Sequence, residues 1–245
     1  MRVIRLAVSG ALGKMGQRIL ALAAQDPAFD LALALERPDH PQLGSSALGL
    51  RVTGDIKALA RTDGLIDFSS PAAARRHAAA CARAGIPLVV GTTGLGAQDI
   101  KALRAAAKKI PVVFSPNMSA GVNVVFRMAA LAAAALPGDY AIHIKETHHI
   151  HKKDAPSGTA KRLAEIIMAR RPGGNVPIAS LREGEVIGEH VIVFEGPADT
   201  ITLTHSAKSR DIFVLGALEA MKFCAKKKRG LYDMGDVLGL KTSKH

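Results

Sequence analysis

Short apolar runs alternate with longer helical periods from the start of the chain to Phe114, and this alternation limits the fold more than any other feature. Val3–Val8, Leu31–Leu35, Leu65–Phe68, Ile86–Val90 and Val112–Phe114 read as strands. Between them, Lys14–Ala24 carries Met15, Ile19, Leu22 and Ala23 at helical spacing. Ala72–Ala84 runs to a stop at Gly85, and Ala97–Lys109 is again helical. A helix between successive strands carries the chain back across the sheet, so those strands lie parallel with helices on both faces. The expectation is an α/β domain on a doubly wound parallel sheet.

The pattern then changes. Val122–Leu136 reads as one long helix closed by Pro137 and Gly138, and Tyr140–Thr147 as a strand. A polar loop, a helix over Thr159–Arg170 and the turn-rich RRPGGNVP follow. Ile187–Phe194 and Thr200–Thr204 are strands with no helix between them, which predicts a mixed or antiparallel open sheet. Asp211–Ala225 is a last helix that returns to the first domain. The expected division is 1–117 with 210–245 for one domain and 118–209 for the other.

With 245 residues, 48% of them apolar, the chain can bury a substantial core, but it has no Trp and must pack with Ala, Leu, Val and Ile. Cys81 and Cys224 form no CxxC pair, which suits a reducing, cytoplasmic setting. The chain enters a strand almost at once, leaving no room for a signal peptide, and the Ala-rich Met128–Leu136 is too short to span a bilayer. No membrane partner is expected. A net charge of +12 raises the question of nucleic acid. The basic residues are dispersed, however, and aromatic stacking groups are scarce. The densest cluster, Lys226–Arg229, reads as a solvated helix end. No nucleic acid is expected, and the positive field suits a small anionic ligand.

Gly10-Ala11-Leu12-Gly13-Lys14-Met15-Gly16 joins the first strand to the first helix. Glycines there let backbone approach a pyrophosphate at a helix N-terminus. The spacing is GxxGxxG, with Leu12 where the usual GxGxxG has its second glycine, so a ligand-free turn competes with this reading. Glu36 ends the second strand 20 residues after Gly16, where an acid can hold ribose hydroxyls. Arg37 beside it can meet a 2′-phosphate, so NADH and NADPH are both expected. Phe68–Pro71, Gly91–Gly94 (GTTG) and Ser115–Met118 (SPNM) follow later strands and fall on the same sheet edge.

The segment ETHHIHKKDAPSGT, Glu146–Thr159, gathers three histidines and two lysines. It reads as a solvated basic loop, as a metal site of His148, His149 and His151, or as an anion-binding catalytic loop. Adjacent lysines repel a metal cation and no metalloenzyme spacing is present, so no metal is expected. Imidazoles and ammonium groups can bind carboxylates and pass protons, and Ser157-Gly158-Thr159 offers donors at a helix start.

VSGALGKMGQRI, Glu36, IDFSSP, VVGTTG, FSPNMSAGVN, ETHHIHKKDAPSGTA, IGEHVIVFEG and HSAKSRDIF together make the chain resemble the dihydrodipicolinate reductase family along nearly its whole length. That resemblance implies a Rossmann-like dinucleotide-binding domain plus an α/β substrate-binding domain whose open sheet builds a homotetramer. It implies that Gly10, Ala11, Leu12, Gly13, Lys14, Met15, Glu36, Arg37, Gly91, Thr92, Thr93, Ser115, Pro116, Asn117 and Met118 hold NADH or NADPH. His148 is then the general acid/base, Lys152 the proton donor, and His149, Gly158 and Thr159 the grip on a dicarboxylate substrate. The implied reaction reduces 4-hydroxy-tetrahydrodipicolinate, through its dehydrated imine, to tetrahydrodipicolinate on the diaminopimelate and lysine pathway. Another Rossmann-type dehydrogenase of an amino or imino acid is the alternative enzyme; a nucleotide sensor without catalysis would not need the histidine–lysine loop. Two departures stand out: Leu95 follows GTTG where the family commonly has an aromatic residue, and segment 171–187 is short.

Overall fold

The computed structural model describes residues 2–240; residues 1 and 241–245, which the expected first domain includes, lie outside the described residues. In chain order the elements begin β1 (Ile4–Ser9), α1 (Lys14–Ala23), β2 (Phe29–Leu35), β3 (Ser46–Ala47), β4 (Leu50–Thr53), a 3-10 turn (Ile56–Arg61), β5 (Gly64–Asp67), α2 (Pro71–Ala84), β6 (Leu88–Val90), α3 (Ala97–Ala107) and β7 (Pro111–Phe114). They continue with α4 (Ala120–Ala135), β8 (Ala141–His148), α5 (Gly158–Met168), β9 (Ile178–Arg182), β10 (Glu189–Glu195), β11 (Thr200–Ser206), α6 (Asp211–Cys224), β12 (Gly230–Tyr232) and α7 (Met234–Val237). The backbone separates into two compact units, one running to Ser119 and resuming at Phe213, the other Ala120–Ile212. No helix among the described residues is long and apolar enough to cross a membrane.

The first unit holds an eight-stranded sheet in the order β12-β7-β6-β5-β1-β2-β4-β3, parallel throughout except for the β3–β4 hairpin. Its strands bury both faces, as parallel strands under crossover helices must. Leu6 and Val8 of β1 pack on α1 and α6, while Ala7 between them faces α2 and α3. Cys81 on α2 and Cys224 on α6 are fully buried free thiols on these two opposite faces, and burial pushes both well above the ordinary thiol range. Local chemistry sets the ends of α2: Ser70 caps its N-terminus, Pro71 takes the first helical position, and Gly85 closes it with φ +71°. The strands β3, β4 and β12 were not foreseen. They have two to four residues each, and pairing rather than their own pattern makes them strands. Lys226–Arg229 falls in the connection from α6 to β12.

Asp67, fully buried at the end of β5, ties three elements together. Its carboxyl accepts from the Ser69 N–H (3.0 Å) and hydroxyl (2.6 Å), from the Thr92 hydroxyl after β6 (2.9 Å), and lies 2.6 Å from His77 Nδ1 on α2.

The second unit is a four-stranded sheet, β11-β10-β8-β9, antiparallel except for the parallel β8–β9 pair. Ile142, Ile144, Ile192 and Phe194 on one face pack against Ala129 and Ala133 of α4 and Leu163, Ala164 and Ile167 of α5. Arg171, just past α5, donates to the carbonyls of Ala133, Leu136, Pro137 and Tyr140, and so satisfies the C-terminal end of α4. The strand β9 lies within the short segment 171–187, where none was expected, and begins a few residues after that turn.

Replacing Asp67 with Ala strands several buried donors at once. Urea unfolding is expected to show a loss of about 3 kcal/mol, whereas a change below about 0.5 kcal/mol would mean that the carboxyl is not the tie between β5, β6 and α2.

Candidate active site

The turn between β1 and α1 has room for glycine and little else. Gly10 has φ +74°, and a Cβ there would lie 2.3 Å from the Phe68 carbonyl oxygen; one on Gly16 would lie 2.0 Å from the Gly10 oxygen. The backbone is therefore pressed tightly onto the end of β5. Gly13 is the N-cap of α1 and no side chain caps the helix, so its first N–H groups are open to a ligand oxygen. A cavity of about 550 Å³ opens beside this turn. Gly10, Leu12, Gly13, Glu36 and Arg37 line it, together with His40, Ser69, Arg76 and His77. Glu36 does more than face the cavity. Its Oε2 accepts from the Leu12 N–H at 3.2 Å and its Oε1 from the Arg37 N–H at 3.0 Å, so it braces the glycine turn. Arg37 Nη1 pairs with Asp39 at 3.0 Å.

The other predicted cofactor residues divide. Ala11 is buried beneath the turn, and Lys14 and Met15 begin α1 outside the cavity lining. Gly91, Thr92 and Thr93 follow β6 and Ser115–Met118 follow β7, at the carboxyl ends of neighbouring parallel strands but outside that lining. A Cβ on Gly91 would meet the Phe68 ring at 2.1 Å, Thr92 is bound to Asp67, and Met118 is buried. Leu95 packs partly buried on the α2–α3 side of the sheet.

In the second unit, strand register builds a polar cluster. Glu146 lies opposite His190 on β10 and Ser180 on β9, and His148 lies opposite Arg182. Side chains alternate along a strand, so Glu146 and His148 share the face of Ile142 and Ile144. The face is apolar beneath α4 and α5 and turns polar next to the N-terminus of α5. There Glu146 is fully buried, and His148 and His190 nearly so. His148 Nδ1 is hydrogen-bonded to Glu146 Oε2. Glu146 Oε1 accepts from Arg182 Nη2 at 3.0 Å and from the Ser157 N–H at 3.3 Å. Ser157 caps α5 by accepting from the Ala160 N–H at 3.2 Å, and its hydroxyl lies 3.1 Å from His190 Nε2. The His148 and His190 rings meet edge to face at 5.2 Å.

Electrostatics separates these groups. Burial alone pushes the Glu146 carboxyl up, but hydrogen bonds from Arg182 and His148 outweigh it and hold the group below its ordinary range. Burial pushes His148 down, and Glu146 restores it only in part, so the imidazole lies below its ordinary range. Burial, and then the neighbouring His148, drive His190 down to about 4. Ligand atoms of Glu146, His148 and His190 lie within 4.8 Å of one another, close enough to hold a metal ion. Arg182 already occupies that carboxylate, and a guanidinium there opposes a second cation. The histidines read from sequence as a metal set differ: His151 is exposed and pairs with Glu185 at 3.3 Å.

His149 is half buried, with its Nδ1 unpartnered and its Nε2 3.4 Å from Arg210 Nη2. Lys152 Nζ pairs with Asp154 at 2.8 Å. Gly158 and Thr159 open the first turn of α5. Sequence reading gave no role to Glu146, Arg182, His190, Asp67 or His77. Glu146 had a usable signal, since it stands two residues before His148 on an alternating strand. Arg182 had none until β9 was placed in register, and His190 stood only within the IGEHVIVFEG motif, with no role of its own.

The chain matches two family models, "Dihydrodipicolinate reductase, N-terminus" over residues 4–118 and "Dihydrodipicolinate reductase, C-terminus" over residues 121–238. A 4-hydroxy-tetrahydrodipicolinate reductase of Nitrosomonas eutropha is 41% identical over 98% of this chain and 100% of its own length. One from Anaeromyxobacter dehalogenans is 42% identical over 98% and 99%. Among solved structures, a dipicolinate-bound dihydrodipicolinate reductase from Paenisporosarcina sp. TG-14 superposes with a TM-score of 0.83 at 25% identity, over 95% of this chain and 98% of that one. A diaminopimelate dehydrogenase of C. glutamicum, at 14% identity and TM-score 0.60, shares the fold alone. With both halves matched and relatives aligned end to end, the chain belongs to the dihydrodipicolinate reductase family.

Proposed function

We propose that this protein reduces 4-hydroxy-tetrahydrodipicolinate, through its dehydrated imine, to tetrahydrodipicolinate with NADH or NADPH, in diaminopimelate and lysine biosynthesis. The observation that carries the reading is the buried His148 on β8, hydrogen-bonded to Glu146 beside the N-terminus of α5. The names of the full-length relatives support the substrate.

The unit that contains β1 is the dinucleotide-binding domain in this reading, and 120–212 the substrate-binding and oligomerisation domain. The crowded Gly10–Gly16 turn and the uncapped start of α1 fit a pyrophosphate. Ala11, Lys14, Met15, Gly91, Thr92, Thr93, Ser115, Pro116, Asn117 and Met118 complete the cofactor set. Bound nicotinamide supplies a hydride. Addition of that hydride to a conjugated C=C–C=N system would build negative charge at its far end, where a proton would be needed. Lys152 donates that proton, and the lone pair of His148 takes part in the transfer as acid/base. His149, Gly158 and Thr159 hold the substrate carboxylates, the last two with N–H groups at the first turn of α5.

Two properties of the whole molecule follow the same reading. The face of the second sheet away from α4 and α5 carries Val191, Val193, Thr202 and Thr204, and a homotetramer built through it would cover them. Free, buried cysteines suit a cytoplasmic protein; recovery outside the soluble cell fraction would oppose that placement.

His148→Ala and Lys152→Ala are each expected to lower kcat about 100-fold or more while leaving the Kd for NADPH near that of the unaltered protein. Absorbance at 340 nm with enzymatically generated substrate reads the first quantity and cofactor fluorescence the second. Near-normal kcat in both variants would remove these residues from the proton path.

Arg37→Ala is expected to raise KM for NADPH about tenfold and to change KM for NADH little, because only NADPH carries the 2′-phosphate. Equal changes in both would assign the guanidinium to packing or to its Asp39 pair. Light scattering should return the mass of four chains, and a monomer at micromolar concentration would defeat the tetramer.

A further inference from the structure

One buried carboxylate touches both parts of the substrate-side machinery. Glu146 meets His148 Nδ1 with one oxygen and the Arg182 guanidinium and the Ser157 N–H with the other. A carboxylate accepts and does not donate, so His148 Nδ1 carries the hydrogen and Nε2 the lone pair. That nitrogen lies over Gly188, where a Cβ would come within 3.0 Å of it and 3.3 Å of Cδ2. Gly188 therefore leaves the reactive edge of the ring uncrowded.

We propose that Glu146 is the positioning residue for proton transfer, fixing His148 in the Nδ1–H tautomer and holding that ring in register with the carboxylate-binding turn at Ser157–Thr159. The proposal rests on the reading of His148 as the acid/base group and adds what makes it competent. Arg182, from β9, is integral to the device. Without it, a buried carboxylate would lose the cationic partner that stabilises its charge, and a neutral carboxyl holds an imidazole less firmly. The groups facing His148 are Glu146 on its own strand, Arg182 on β9, His190 on β10 and Lys152 from the loop that follows. Among them only Glu146 is an anion.

Glu146→Gln tests this without changing volume. Arg182 and the Ser157 N–H both donate to the Oε1 position, so the new amide must place its oxygen there and turn its NH2 toward His148 Nδ1. The ring must then accept at Nδ1 and carry its hydrogen on Nε2, the inverted tautomer. Three readouts follow. The value of kcat falls about tenfold or more, as for a lost orienting partner, while KM for NADPH is unchanged. The acid limb of kcat/KM moves to lower pH, because removing an anion makes His148 less basic. In 15N-histidine NMR spectra the unaltered protein shows His148 protonated at Nδ1, and E146Q shows it protonated at Nε2.

Wild-type kcat and an unmoved acid limb in E146Q would overturn the proposal while His148→Ala, tested separately, still reports on the acid/base reading. If E146Q does not fold, the spectrum of the unaltered protein decides alone: His148 protonated at Nε2 overturns the proposal, and protonation at Nδ1 supports it.

Discussion

The ion pair between Glu146 and Arg182 holds together the buried polar cluster of the second unit. A fully buried carboxylate is costly unless paired and hydrogen-bonded, and here every lone-pair direction in use meets a donor. The pair needs three pieces of chain in register: β8 for the acid, β9 for the guanidinium and the start of α5 for the amide. Each of those pieces also puts apolar side chains, Ile142 and Ile144 from β8, Ile178 from β9, and Ala160 and Leu163 from α5, into one common core. The apolar packing therefore fixes the register, and the register makes the polar cluster affordable. Remove the register and the same residues are an unpaired charge in a core.

The two units repeat a device with different outcomes. Asp67 with His77, and Glu146 with His148, are both buried carboxyl–imidazole pairs at strand ends. Asp67 is surrounded by donors from its own turn and from Thr92, and so locks the loop that flanks the glycine turn. Glu146 instead leaves the far nitrogen of its histidine beside a glycine.

Much of the architecture was legible in the residues because it follows from periodicity. Strands such as Leu88–Val90 are apolar on both faces and can only be buried, and Gly85 marks the end of α2, whereas the Ser70 cap and Pro71 at its start emerge only in the fold. The short strands β4, β9 and β12 were not legible, since long-range pairing creates them. That limit carried over to the site. His148, Lys152 and the Ser157–Thr159 turn lie in one segment and could be read together. The partner that charges the cluster is Arg182, 36 residues from Glu146 and on one of the strands that local pattern did not reveal. The Glu36 carboxylate was read as a ribose ligand, and its bond to the Leu12 N–H gives it a bracing role that only the folded turn exposes.

The two cysteines have a practical meaning beyond their packing. One lies under each face of the first sheet, both are buried free thiols, and the chain has no others. Burial keeps them protonated and out of reach of an alkylating reagent while the domain is closed. Modification at Cys81 thus clocks the lifting of α2, and modification at Cys224 the lifting of α6, so the native sequence carries a separate gauge of local opening for each side of the first sheet.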